Sequence, residues 1–403
     1  MRLAETDQPI DVGTVPDEMY ASVVRPARYG EPKNAFATEA VPTPRPERGE
    51  VLVYVKAAGI NYNNVWAARG YPLDVVGARE KRGDTTGFHI GGSEASGIVW
   101  EVGEGVRSVA PGDHVVLSGC RWDESAEDIR LGGDPMASVT QRVWGYEDNF
   151  GAFAQFTVVA DFQCHPKPPA LSWEAAAAYL LTGATAYRQL RGWEPHVVRP
   201  GDPVLVWGGA GGLGSMAIQL VREFGGRGGA VVSSPERAEY CRALGAVGTV
   251  DRTGYAHWGR LPDTGDAAFA AWAAEAKRFG RAFFDALGER RAPRIVFEHV
   301  GEDTLPTSLL LCDTAGMVVI CGGTSGYNGD IDLRYLWMRQ KRLQGSHFAD
   351  LAECRAITAL VAAGRIDPCL SWTGTLDDVG VGHQMLADNT QPPGNLAVTV
   401  NSA

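Results

Sequence analysis

Nothing in these 403 residues reads as a membrane span: hydrophobic residues make up 45%, yet no apolar run is long enough to cross a bilayer. The opening stretch, Met1-Arg-Leu-Ala-Glu-Thr-Asp7, lacks the apolar core of a secretory signal, so the expected location is cytoplasmic. No basic stretch is long enough to offset a formal net charge of −11 and a pI near 5.3, which argues against nucleic acid as the main partner. Cysteine is sparse and scattered, at 120, 164, 241, 312, 321, 354 and 369, with no C-x-x-C pair; such a set reads as reduced thiols, mostly in cores. The eight histidines are also dispersed, so no metal site is expected. Internal repeats and low-complexity tracts are absent.

What the chain does have is a glycine turn in a telling context. Val204-Leu-Val-Trp207 reads as a buried strand, followed by Gly209-x-Gly211-x-x-Gly214 and then by Leu213, Met216, Ala217, Leu220, Val221 and Phe224 at helical spacing. Strand, tight turn and helix form the first unit of a dinucleotide-binding fold. Gly209, Gly211, Gly212 and Gly214 let the backbone approach a pyrophosphate, and the helix start offers it free N–H groups. In the next apolar run, Gly229 to Ser234, an acidic residue would suit the ribose 2′-hydroxyl of NAD. Ser233, Ser234 and then Arg237 stand there instead, and two hydroxyls with a guanidinium suit a 2′-phosphate, which favours NADPH. The alternative for Arg237 is a solvated arginine on a helix surface.

The length allows two domains. Residues 21 to 160 carry short strands bounded by glycine turns, such as Val51–Lys56, Gly97–Gly103 and Gly112–Ser118, the pattern of a small barrel. Residues 121 to 145 form a charged stretch of little periodicity, read as a long functional or interface loop. Helical patterns follow near 173–179 and 184–190. From about 200 to 345 strands alternate with helices, with strands expected at 203–207, 229–233, 248–250, 294–297 and 316–321 and an alanine-rich helix at 266–287; this marks a doubly wound parallel sheet. A helix at 354–363 and a last strand at 395–400 return to the first domain.

A barrel interrupted by a dinucleotide domain resembles the medium-chain dehydrogenase/reductase superfamily. Gly92-Ser-Glu-Ala-Ser-Gly97, Glu101-Val-Gly103 and Pro111-Gly-Asp113 are similar to its first-domain signature. Its zinc branch has a metal-binding cysteine near Gly59–Trp66 and a four-cysteine lobe; neither occurs here, which points to the zinc-free branch. Three longer motifs, Asn61-Tyr-Asn-Asn-Val-Trp66, Arg142-Val-Trp-Gly-Tyr-Glu-Asp-Asn-Phe-Gly151 and Arg334 through Phe348, together with Phe297–Gly301 and Met317–Cys321, resemble the crotonyl-CoA carboxylase/reductase family from about residue 20 to 400. The resemblance implies an α/β chain with a GroES-like β-barrel catalytic domain (1–190 and 350–403) and an NADPH-binding Rossmann domain (191–349), assembled as a homotetramer. It also implies hydride transfer to the β-carbon of an enoyl-CoA and attack of the enolate on carbon dioxide, giving an alkylmalonyl-CoA.

The family holds carbon dioxide with four groups that match Asn63, Tyr146, Glu147 and His347, with Asn61 an alternative to Asn63. An enolate is protonated by any nearby acid, so carboxylation requires carbon dioxide held close and water kept out. Each residue also has a plain reading: Asn63 as a helix cap, Glu147 as a turn carboxylate, His347 as a core histidine and Tyr146 as a core aromatic. Arg334, Arg339, Lys341 and Arg342 form the densest cationic stretch, suited to CoA phosphates or else to a solvated face or subunit contact. Gly322, where a larger residue is common in the family, suggests room for acyl groups longer than crotonyl, as in members serving polyketide pathways. The competing functions are an enoyl-thioester reductase that only protonates, and a non-catalytic protein that keeps the fold.

Overall fold

A computed structural model describes residues 12–402, so the expectation for Met1–Asp7 lies outside the described residues. The chain divides into two units: the described residues through Leu181 with Ala349–Gly364 and the chain from Pro368 on, and Thr182–Phe348 with Arg365–Asp367.

In the first unit, the strand Glu50–Ile60 is buried along nearly its whole length because it pairs on both edges. It runs antiparallel to Ala95–Val102, to Phe156–Ala160 and to the late strand Asn395–Thr399, so the end of the chain closes the barrel opened by its beginning. The sheet runs in the order Cys164–Pro166, His114–Leu117, Ala95–Val102, Glu50–Ile60, Asn395–Thr399, Leu370–Thr375. Its interior is filled by Val53, Val55, Val99, Trp100, Phe153, Phe156 and Leu396, among others. Full burial of each large side chain contributes about 2–3 kcal/mol. The charged stretch 121–145 is more ordered than expected. Cys120–Arg121 pairs antiparallel with Arg142–Val143, closing the stretch at its base around a short helix, Glu127–Arg130. A two-residue strand leaves no period to read in the sequence.

The second unit holds six parallel strands in the order Gly248–Asp251, Arg227–Val232, Pro203–Val206, Ile295–Glu298, Met317–Ile320, Arg342–Gly345, that is, 3-2-1-4-5-6. The sixth strand is an addition to the expected five. It is a four-residue edge strand with alternating half-buried and exposed positions, so its apolar content is too low to signal a strand, and its charges dominated the reading. The helix Ala267–Leu287 buries Trp272, Ala276, Phe279, Phe283 and Leu287 at helical spacing and ends at Gly288, where φ of 68° stops it.

His257 sits in an aromatic nest in this unit, with its ring 4.2 Å from Trp258 and near Tyr255, Trp272 and Phe279. It is 8% exposed, and neither ring nitrogen has a hydrogen-bond partner. Burial pushes its pKa down to about 4. The fold therefore binds fewer protons than the unfolded chain between pH 6.5 and 4, and stability from this group is complete above pH 6.5 and lost as pH falls towards 4. Replacing it with His257→Phe should make the acid-side fall in Tm shallower, by about 2 kcal/mol of unfolding free energy at pH 5. Parallel Tm-against-pH curves for the two proteins would contradict this.

Candidate active site

In the barrel unit the Gly91-Gly92 segment meets the Gly145–Phe153 segment through backbone contact. Gly92 lies at φ 97° and Gly145 at φ 69°, both in the left-handed region. A Cβ on Gly145 would stand 2.0 Å from the Gly92 carbonyl oxygen, and one on Gly151 would stand 2.2 Å from the Gly91 carbonyl. Side chains are excluded because the two segments pack backbone to backbone. Ala152 N–H donates to Gly92 O at 2.9 Å and Phe153 N–H to Gly91 O at 3.0 Å, which locks the pairing.

This contact sets the turn carrying Tyr146 and Glu147 beside the helix Asn63–Arg69. Tyr146 is half-buried and packs with the cluster of Ala67, Val75 and Val76. Ala67 lies one turn after Asn63 and so on the same helix face. Asn63 is not a cap: Tyr62 precedes the helix at the cap position, and no side chain caps it. The Asn63 amide instead donates from Nδ2 to Ser93 Oγ at 2.7 Å while the residue stays partly exposed. Asn61 is buried and differently engaged, its Nδ2 donating to Glu94 Oε1 at 2.6 Å. Glu94 also accepts the N–H of Leu181 at 2.8 Å; burial raises its pKa to about 7, against the pull of these donors. Adjacent residues Ser93 and Glu94 thus hold alternate asparagines. In the sequence both residues belong to a domain signature, and nothing local to them marks this role. Glu147 folds back on its own turn, with Oε2 accepting the Val143 N–H at 2.9 Å, while its backbone carbonyl accepts from Arg82 Nη2 at 2.9 Å.

His347 belongs to the second unit. It lies exposed two residues beyond the strand Arg342–Gly345, so the core-histidine reading does not hold. The structure brings Asn63, Tyr146 and Glu147 into one neighbourhood of the first unit.

In the second unit Gly209 and Gly214 are tightly enclosed. Their added Cβ atoms would lie 2.7 Å from the Ala230 Cβ and 2.3 Å from the Gly208 carbonyl. Gly211 has only the Gly208 carbonyl near it, at 3.5 Å, and caps the helix Gly212–Glu223, leaving that side open to a ligand. Ser233 follows the strand Arg227–Val232. The Ser234 hydroxyl accepts the Arg237 N–H at 3.2 Å, which makes it the N-cap of the helix Pro235–Leu244 and puts Arg237 in its first turn. Ser234 therefore shapes the helix start, a role its sequence position did not separate from phosphate binding.

The cationic stretch needs correction. Lys341 donates its ammonium to the carbonyls of Leu309 and Leu310 at the end of the helix Leu305–Leu311, at 2.6 and 3.3 Å, and burial lowers its pKa. This role takes it out of the set available to CoA. Arg334 makes a two-pronged pair with Asp332, and Arg342 bonds Gln344. Arg339 is exposed. Gly322 is half-buried beyond the strand Met317–Ile320.

Residues 47–169 match the alcohol dehydrogenase GroES-like domain family and residues 212–363 the zinc-binding dehydrogenase family. Barrel and doubly wound sheet together define a medium-chain dehydrogenase/reductase. The donors around Asn63, namely two amides, a hydroxyl and a buried carboxylate, do not suit zinc, and among the described residues no three His, Cys, Asp or Glu are grouped to hold a metal.

The chain is 45% identical to the crotonyl-CoA carboxylase/reductase of Cereibacter sphaeroides over 97% of its length and 90% of that protein. It is 37% identical to the crotonyl-CoA reductase of Streptomyces collinus, over 94% and 85%. It superposes on the crotonyl-CoA carboxylase/reductase AntE solved with NADP at a TM-score of 0.94, 63% identity and 97% coverage of both chains. It superposes on the 2-octenoyl-CoA carboxylase reductase CinF, solved with NADP and 2-octenoyl-CoA, at a TM-score of 0.87, 34% identity and coverage of 96% and 88%. The chain belongs to the crotonyl-CoA carboxylase/reductase family.

The glycine contact yields a direct test. Gly145→Ala should cost about 2–4 kcal/mol of unfolding free energy, because both the added methyl and the positive φ oppose the native backbone. A denaturation midpoint equal to that of the parent protein would rule out the close approach.

Proposed function

We propose that this chain reduces an α,β-unsaturated enoyl-CoA with NADPH and carboxylates the resulting enolate with carbon dioxide, forming an alkylmalonyl-CoA. The observation that carries the reading is Asn63: a partly exposed amide held by Ser93, on the same helix face that packs the Tyr146 ring. When bound, NADPH supplies the hydride that adds to the β-carbon of the thioester. The electron pair then resides on the α-carbon, and no proton is taken up if it forms the new C–C bond to carbon dioxide. Asn63 has a second amide N–H to orient one carbon dioxide oxygen, which has acceptors but no net charge. Tyr146 walls off bulk water, and Glu147 keeps one carboxylate oxygen for an ordered water. His347 is the fourth residue of this set. A protonating reductase would instead need a proton donor at the α-carbon.

Gly209, Gly211, Gly212 and Gly214 seat the pyrophosphate, and Ser233 with Arg237 reads the 2′-phosphate at the start of the helix Pro235–Leu244. Arg334 and Arg339 remain the candidates for CoA phosphates. Leu333, Trp337 and Met338, on and just after the helix Leu333–Trp337, and Leu343 on the edge strand Arg342–Gly345 are exposed apolar side chains that support a homo-oligomer, for which a tetramer is proposed; a monomeric mass by light scattering would exclude it. No helix among the described residues is long and apolar enough to cross a membrane, and a cytoplasmic location is proposed.

With NADPH and bicarbonate, enoyl-CoA should give the carboxylated thioester as the main product by mass, and octenoyl-CoA should have a kcat/KM at least equal to that of crotonyl-CoA, given Gly322. Saturated acyl-CoA alone at ample carbon dioxide would establish the plain reductase instead, and a strong crotonyl preference would remove the role of Gly322. In the same assay His347→Asn should raise the reduced fraction. Separately, Arg237→Ala should weaken NADPH binding about tenfold and leave NADH within twofold; equal losses for both would contradict a 2′-phosphate contact.

A further inference from the structure

The amide of Asn63 sits on a short helix, is partly exposed, and within that helix meets the side-chain amide of Asn64 at 3.1 Å, a group that can turn over with it. Amide torsions of this kind are broad and close to two-fold. If the group turned over, a carbonyl oxygen would face the oxygens of carbon dioxide and repel them. The contact that holds the group with its Nδ2 on a fixed partner is nonlocal. Ser93 Oγ, thirty positions along the chain, accepts one Nδ2–H at 2.7 Å. Ser93 is itself 0% exposed. Its neighbour Gly92 is pinned by the Ala152 N–H and by backbone contact with Gly145, so the hydroxyl has little freedom to follow a drifting partner. The next residue, Glu94, is anchored by Asn61 and the Leu181 N–H.

We propose that Ser93 is a positioning residue for carboxylation: its hydroxyl holds one N–H of Asn63 so that the second N–H points where carbon dioxide binds. This rests on the reading that Asn63 holds carbon dioxide. Ser93 touches neither substrate nor cofactor in this account. Its loss should therefore alter how the enolate is partitioned rather than simply lower turnover.

The test measures the ratio of carboxylated to reduced product, and the apparent KM for carbon dioxide, in the enzyme and four variants: Asn63→Ala, Ser93→Ala, Ser93→Cys and Ser93→Thr. Ser93→Ala should raise the apparent KM for carbon dioxide about tenfold, the effect of one lost orienting hydrogen bond, and shift product towards reduction. Ser93→Thr, which keeps the hydroxyl, should restore the parent ratio. Ser93→Cys, a weak acceptor, should behave like the alanine variant and decides the matter if that one does not fold. If Asn63→Ala shifts the ratio while Ser93→Ala and Ser93→Cys match the parent enzyme, the positioning role is overturned and the reading of Asn63 stands. If Asn63→Ala leaves the ratio unchanged, the reading of Asn63 itself fails, and the proposal with it.

Discussion

The close approach of two backbones, Gly91-Gly92 against Gly145 and Gly151, is the constraint from which the barrel unit's share of the site follows. No side chain fits at this crossing, so the two segments share hydrogen bonds where most neighbouring segments would share side-chain packing. One consequence is that Ser93, the residue after the crossing, stands under the helix that carries Asn63. Another is that the turn after Gly145 packs the Tyr146 ring against the same helix, with Glu147 next in the turn. The glycine crossing thus does two jobs through geometry alone: it permits the fold locally and it sets where the proposed site residues Asn63 and Tyr146 stand. At its edge the side chains of Asn61, Asn63 and Glu94 each have a hydrogen-bond partner.

The two units divide the chemistry between them. The second provides a glycine turn, a helix start and an arginine, which are means of binding a doubly charged diphosphate and a 2′-phosphate. The first provides amides, a hydroxyl and an aromatic ring, which are weak ligands for an anion and suitable ones for an uncharged molecule with two acceptor oxygens. Glu94 fits this division. It is buried, its carboxyl is pushed up to about 7, and its oxygens accept from Asn61 and the Leu181 N–H, so it braces the site.

Much of this was legible from sequence because its physical basis is local. The strand Pro203–Val206, the glycine turn and the helix Gly212–Glu223 follow one another, and each has a period or a residue type that demands it. The terminal strand was recognisable because no new unit surrounds it. The illegible parts depend on contacts between distant residues or on elements too short to have a period. Arg342–Gly345 is an edge strand of four residues, and Cys120–Arg121 with Arg142–Val143 is a ribbon of two-residue strands. Lys341 looked like a phosphate ligand because charge is visible in sequence, whereas the helix end it caps, thirty residues earlier, is not. Asn63 and Asn61 are equivalent on paper. Only the three-dimensional pairing with Ser93 and Glu94 tells the half-open amide from the buried one.

The central claim is that hydride addition and carbon dioxide capture occur on the same substrate molecule. Turnover of an enoyl-CoA with NADPH deuterated at C4 in saturating 13C-bicarbonate tests it directly. The account predicts a product carrying deuterium at the β-carbon and 13C in a new carboxylate on the α-carbon. A product with deuterium and no 13C, its α-position filled by a solvent proton, would contradict it.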